Sequence, residues 1–160
     1  MKIYLANDHA GLRLKQALLE HLPMLGHEVE DLGAFALDPE DDYPEYTKLL
    51  AKRVASEQGS CGIICAGSGQ GEAMCANRTP GVRAAVFYGP IAAHEPLDRE
   101  GGKSEDGYDI VRLARRHNDA NVLSIGARFV SPEEADEAVR LFLSTEFSDD
   151  PRHARRLGQF

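Results

Sequence analysis

The chain has no tryptophan, and aromatic residues fill only 7% of its 160 positions. No run reaches the roughly 18 consecutive apolar residues of a membrane helix, so a membrane span is not expected. The opening residues, MKIYLANDHAG, lack the apolar core and small-residue cleavage site of a secretory leader, which makes the cytoplasm the expected compartment. Cysteine is scarce: Cys61, Cys65 and Cys75 are odd in number and form no C-x-x-C pair, which argues against a disulfide framework and against a zinc site. Gly71 stands where a cysteine phosphatase anchored on Cys65 would need arginine, so the three thiols read as small buried hydrophobes. Basic residues are also in deficit, 18 against 26 acidic, for a formal net charge of −8. A general nucleic-acid binder is therefore not expected. A small anionic ligand responds to local fields instead, and Arg152, His153, Arg155 and Arg156 gather near the C-terminus.

What remains is the composition of one soluble globular domain spanning residues 1–160, with 42% hydrophobic and 28% charged residues. Short apolar runs alternate with amphipathic stretches, the pattern of a parallel α/β sheet. The expected strands are 2–6, 27–31, 62–66, 82–87 and 121–125. The expected helices are 11–22, 44–56, 70–78, 110–117 and 132–145. Tyr46, Leu49, Leu50 and Val54 give the second helix one apolar face at i, i+3, i+4, i+8. The last helix opens on Ser131-Pro132-Glu133-Glu134, a capping box with proline at the first helical position, and Ala135, Ala138, Val139 and Phe142 form its buried stripe. The segment 94–109 breaks the rhythm: half its residues are charged, it holds a Gly-Gly pair, and it has no period. It reads as a surface insertion, either functional or simply tolerated. Residues 151–160 read as a basic tail.

In a doubly wound fold, ligands bind beyond the carboxyl ends of the strands. Four segments qualify: 7–9, 67–72, 88–90 and 126–128. In the second, Gly67, Gly69 and Gly71 lie between a strand and a helix, where backbone N–H groups can converge on an anion. The spacing G-x-G-x-G follows the third strand, so it is not a dinucleotide fingerprint, and the Gly-Lys-Ser/Thr of a nucleotide P-loop is missing. Either an anion hole without a nucleotide or a tight structural turn fits. Glu72, in the first helical turn, can be a dipole-stabilised carboxylate. It can also be a base that removes a proton alpha to a carbonyl while the turn holds the enediolate charge. Asp8-His9 can orient a hydroxyl and a phosphate, and His117 offers a second acid/base imidazole.

Several segments resemble the type B ribose-5-phosphate isomerases and the wider group that includes galactose- and allose-6-phosphate isomerases. They are Asn7-Asp8-His9-Ala10-Gly11, Asp42-Tyr43-Pro44, Gly67-Ser68-Gly69-Gln70-Gly71, Ala76-Asn77-Arg78 and Pro80-Gly81-Val82-Arg83-Ala84. His117-Asn118-Asp119-Ala120-Asn121-Val122-Leu123, Gly126-Ala127-Arg128 and Arg152-His153-Ala154-Arg155-Arg156 follow in the same order. The resemblance implies a Rossmann-like three-layer α/β/α fold with a five-stranded parallel sheet. It implies cofactor-free, metal-free interconversion of ribose 5-phosphate and ribulose 5-phosphate through a cis-enediolate. The site is implied to be shared between two subunits of a homodimer, which two dimers could extend to a tetramer.

In that scheme His117 opens the sugar ring with help from Asp8 and Tyr43, and Ser68 passes protons at the substrate oxygens. The backbone of Gly67, Gly69 and Gly71 stabilises the enediolate. His9, Arg128, Arg152 and Arg156 hold the phosphate, with His153 and Asn118 beside them. Many relatives carry a cysteine base two residues before the serine, where this chain has Ala66. Cys65 is one residue out of phase and would face the other side of the strand. Glu72 matches the branch pattern G-S-G-x-G-E and is the expected base. The 94–109 insertion departs from the family pattern, which leaves another sugar phosphate, such as a tetrulose 4-phosphate or a hexose 6-phosphate, as an alternative substrate. A non-catalytic phosphosugar-binding module is an alternative of another class, and a nucleotide-binding flavodoxin-like domain is disfavoured.

Overall fold

The computed structural model describes residues 1–99, 101–104 and 106–159. Glu100 and Glu105 of the insertion and Phe160 of the tail lie outside the described residues. Five strands, β1 (Lys2–Asn7), β2 (Glu28–Asp31), β3 (Cys61–Ala66), β4 (Ala84–Phe87) and β5 (Val122–Gly126), make one sheet in the order β2-β1-β3-β5-β4. Every pairing is parallel. Six α-helices are described: α1 (Leu12–His21), α2 (Tyr43–Ser56), α3 (Gln70–Ala76), α4 (Asp109–Asn118), α5 (Pro132–Ser144) and α6 (Pro151–Leu157).

Strand periodicity divides the core. Odd positions on the three central strands (Ile3, Leu5, Ile63, Cys65, Leu123, Ile125) pack with Leu14 and Leu18 of α1, Val111 of α4 and Phe142 of α5. Even positions (Tyr4, Ala6, Ile64, Ala66, Val122) pack with Leu50, Ala51 and Val54 of α2 and Ala76 of α3. The sheet is thus covered on both faces, which is why β1, β3 and β5 read as continuous apolar runs rather than alternating ones. The expected three-layer architecture is present. On each face, side chains at spacing two meet a helix stripe at spacing three and four.

The sequence reading departs from the structure in three places. In α2 the buried face is Thr47, Leu50, Ala51 and Val54, and Leu49 is exposed; an i+7 step keeps the stripe on one side better than the i+8 step first read. The basic tail is partly a helix, α6, started by Asp150, whose side chain accepts a hydrogen bond from Arg152 N, and by Pro151 at its first position. Four of the five strand starts and several helix ends, that of α3 among them, shift by one or two residues. The α5 capping box forms as read: Ser131 Oγ accepts from Glu134 N at 3.2 Å, and Glu134 Oε2 accepts from Ser131 N at 2.8 Å.

The chain leaves β1 toward β2 on one side and resumes at β3 on the other. The carboxyl ends of β1 and β3 therefore form the switch-point crevice where such folds bind ligands.

Candidate active site

Two backbone approaches build the crevice. A Cβ on Gly11 would lie 1.8 Å from the Cys65 carbonyl oxygen, so only glycine lets the start of α1 press against the end of β3. Asp8 N donates to the Cys65 carbonyl at 3.2 Å, tying the two strand ends together. The Asp8 carboxylate is buried, accepts from Gly11 N at 2.9 Å and lies 3.5 Å from Gly67 N.

The glycine turn follows at once. Gly69 takes φ +72° as the cap of α3, and its carbonyl accepts from Ser124 Oγ at 2.7 Å. Gly67 carries no side chain where the Arg128 guanidinium lies, since a Cβ there would be 3.0 Å from its central carbon. Gly71 plays the same part for Tyr43, whose hydroxyl would be 2.7 Å from a Cβ. The turn thus brings Ser68, Tyr43 and Arg128 around the first N–H groups of α3, which helix geometry leaves free of partners within the helix.

Glu72 is 4% exposed in the first turn of that helix. Burial raises its carboxyl pKa above the usual 4.5, and the neighbouring carboxylates of Asp8 and Asp41 raise it further; its own backbone N–H and His9 pull the other way. Desolvation therefore wins over the helix terminus, a contest the sequence left open. A carboxylate so placed is a stronger base than an exposed one. His9 Nδ1 meets Asp41 Oδ1 at 2.7 Å, and this contact raises the imidazole pKa above 6.5, favouring a cation where an anion would bind. Cys65, by contrast, lies in the odd-face core, fully buried, with its thiol pKa pushed far up by desolvation. It points away from the turn.

His117, Asn118, Arg152, His153 and Arg156 do not join this group. A helix linking parallel strands runs back along the sheet, so the C-terminus of α4 lies at the amino edge of β5, opposite the strand end that carries Arg128. The length of β5, about 16 Å at 3.3 Å per residue, stands between the two ends. His117 therefore lies away from the ligand-facing edge of its own sheet. These five residues instead line a second cavity of about 360 Å³ with Pro96, Leu97, Asp98, Arg99 and Leu157. There the His117 and His153 rings lie 4.2 Å apart, and Arg152 Nη2 is 3.1 Å from His153 Nε2. Burial, and then the nearby His153 and arginines, lower the His117 pKa below 6.5, leaving a neutral imidazole at pH 7.

The sequence reading passed over three residues at the first site. Asp41 positions His9; its nearness to the Asp42-Tyr43-Pro44 motif was the available signal. Ser124 holds Gly69, and its even position in a buried strand aimed it at α3. Lys15 is 1% exposed, with Nζ bonded to Asp31 Oδ1 at 2.7 Å and to the Ala34 carbonyl at 2.8 Å, where it braces the loop leading to Asp41. It follows Leu14 on the buried side of α1, which is where a lysine should attract notice. Among the described residues no cluster of His, Cys, Asp and Glu could hold a metal ion, and no helix is long and apolar enough to cross a membrane.

Known proteins share this architecture and sequence. The Ribose/Galactose Isomerase family pattern matches residues 3–98 and 106–160. Ribose-5-phosphate isomerase B of Mycolicibacterium paratuberculosis is 38% identical over 157 residues, covering 98% of this chain and 87% of that protein. The crystal structure of ribose-5-phosphate isomerase B from Mycoplasma genitalium with bound ribulose-5-phosphate superposes with a TM-score of 0.84 at 34% identity, covering 99% of this chain and 92% of that one. The Clostridium thermocellum enzyme of the same name gives a TM-score of 0.84, also at 34% identity, covering 99% and 94%.

Proposed function

The chain belongs to the ribose/galactose isomerase family, and from that premise we propose how its two clusters carry out the reaction. It is an aldose-ketose isomerase that interconverts ribose 5-phosphate and ribulose 5-phosphate; the solved relative with bound ribulose-5-phosphate supports this substrate over the alternatives.

Glu72 is the base. It takes the proton from C2 of the open-chain aldose, the electrons form a cis-enediolate across C1 and C2, and the same carboxyl returns the proton to C1. The N–H groups of Gly67 to Gly71 hold the enediolate charge, and Ser68 shuttles the hydroxyl proton between O2 and O1. Protonated His9 and Arg128 meet the phosphate, and Asp8 and Tyr43 orient the sugar hydroxyls.

Neutral His117 opens the ring, and Arg152 and Arg156 complete the phosphate grip with His153 and Asn118 alongside. In one copy these residues lie at the far end of the sheet, so they act at the site of a second copy in a homodimer. Among the described residues Asn7 Oδ1 and Asp41 Oδ2 near the first cluster, and Arg152 Nε in the second, are buried without a hydrogen-bond partner. A sugar-phosphate substrate and three cysteines that form no pair support a cytoplasmic location.

The observation that carries this reading is the burial of Glu72 against Asp8 and the glycine turn. The test is Glu72→Gln. Turnover should fall by at least about 10²-fold, the scale of a lost general base. Exchange of the substrate C2 hydrogen with solvent should be lost too, while ribose 5-phosphate still binds. Cys65→Ala should keep its activity. A fully active Glu72→Gln would overturn the assignment.

A further inference from the structure

Hydrogen bonds hold the described residues of the insertion in place. Its stems meet where Ile91 N donates to the Gly107 carbonyl at 2.8 Å. Its tip is closed by Leu97 N on the Gly102 carbonyl at 2.8 Å and by Gly102 N on Asp98 Oδ1 at 2.8 Å. The returning strand is pinned to the start of α4. There Asp106 accepts two hydrogen bonds from Arg112, which hold its carboxyl down to about 2. The tip consequently reaches the other end of α4 and lines the cavity that holds His117, Arg152 and Arg156.

Arg99 stands at that tip, in the stretch 99–105 that the family pattern does not cover. It brings a third guanidinium to a cavity where, among the described residues, the one carboxylate, Asp98, already accepts a backbone N–H. In a chain of net charge −8, three arginines around one cavity make a local site for a compact dianion. A guanidinium fork matches phosphate oxygens in pairs. Resting on the reading of this cavity as the phosphate half-site, we propose that Arg99 is a substrate-binding residue, added by the insertion, that grips the phosphate of the sugar phosphate alongside Arg152 and Arg156.

The test compares Arg99→Ala, Arg99→Lys and Arg156→Ala in the full-length enzyme. Arg140→Ala serves as a control that removes the same charge from an exposed pair with Glu137 on α5. The readouts are kcat and KM for ribose 5-phosphate and the inhibition constant of inorganic phosphate. Arg99→Ala should raise both KM and the phosphate inhibition constant about tenfold, the scale of one charge-assisted hydrogen bond, with kcat nearly constant. Arg99→Lys should recover part of the loss, and Arg140→Ala should change neither constant. If Arg99→Ala matches wild type while Arg156→Ala is impaired, the role of Arg99 is wrong and the half-site reading stands. Equal losses in Arg99→Ala and Arg140→Ala would mean a long-range field and would also overturn it. If Arg156→Ala too is unimpaired, the half-site reading falls and takes the proposal with it.

Discussion

The role proposed for Glu72 would set function against stability in a single side chain. Its carboxyl pKa is higher in the folded protein than the ordinary 4.5. A raised acid favours folding below 4.5 and loses that contribution as pH climbs through the raised value, so the ionised form is a liability at neutral pH. Glu72→Gln should therefore be more stable than wild type at pH 7, by about 2–4 °C in Tm per kcal/mol relieved. Thermal melts should show the gap closing near pH 4. The acid limb of kcat should likewise sit above the range of an exposed glutamate.

His9 has the opposite use for a raised pKa. Its contact with Asp41 contributes stability and positive charge in full below 6.5, and both fade as pH rises through the raised value. KM for the phosphorylated sugar should rise on that alkaline limb. Asp41→Asn should move the limb to lower pH and leave kcat on its plateau, a shift that steady-state profiles would detect. The proposed role of Glu72 rests on the pattern G-S-G-x-G-E, but the sign of its pKa shift was not legible there. That sign depends on how many atoms close over the carboxylate, and on Asp41, which arrives from a different loop.

At the scale of elements, the site depends on how closely α1 and β3 can approach. Gly11→Ala puts a methyl group into the Cys65 carbonyl, a backbone atom that cannot swing aside. The variant should lose about 1–3 kcal/mol or more, seen as a lower urea midpoint with activity falling in parallel. The sequence showed strands and helices well where period and length agreed, as in α5 with its capping box. It showed α6 poorly, because a seven-residue segment dense in arginine has no apolar stripe to reveal it. The folded state of the insertion was equally hidden. Its order comes from Asp98, Asp106 and Arg112 hydrogen bonds, which leave no hydrophobic period behind.

Across the whole molecule, the fold class and family were readable from motif order alone, whereas the location of the second cluster was not. Sequence order places His117 just before β5, and only the direction of a crossover helix shows that this means the far edge of the sheet. If the site is shared as proposed, two impaired variants should rescue each other. Glu72→Gln mixed with Arg156→Ala should form heterodimers with one fully wild-type site, recovering up to about a quarter of wild-type activity when subunits assort at random. No recovery after verified subunit exchange would overturn the shared site.

If two copies share each site as proposed, the separation of the clusters by the length of β5 also makes rate a matter of crowd size. A solitary copy can be fully folded and still idle, so specific activity should decline on dilution past the point where copies part and return on reconcentration. Abundance in the cell would then act as a throttle that no change in the catalytic groups themselves could supply.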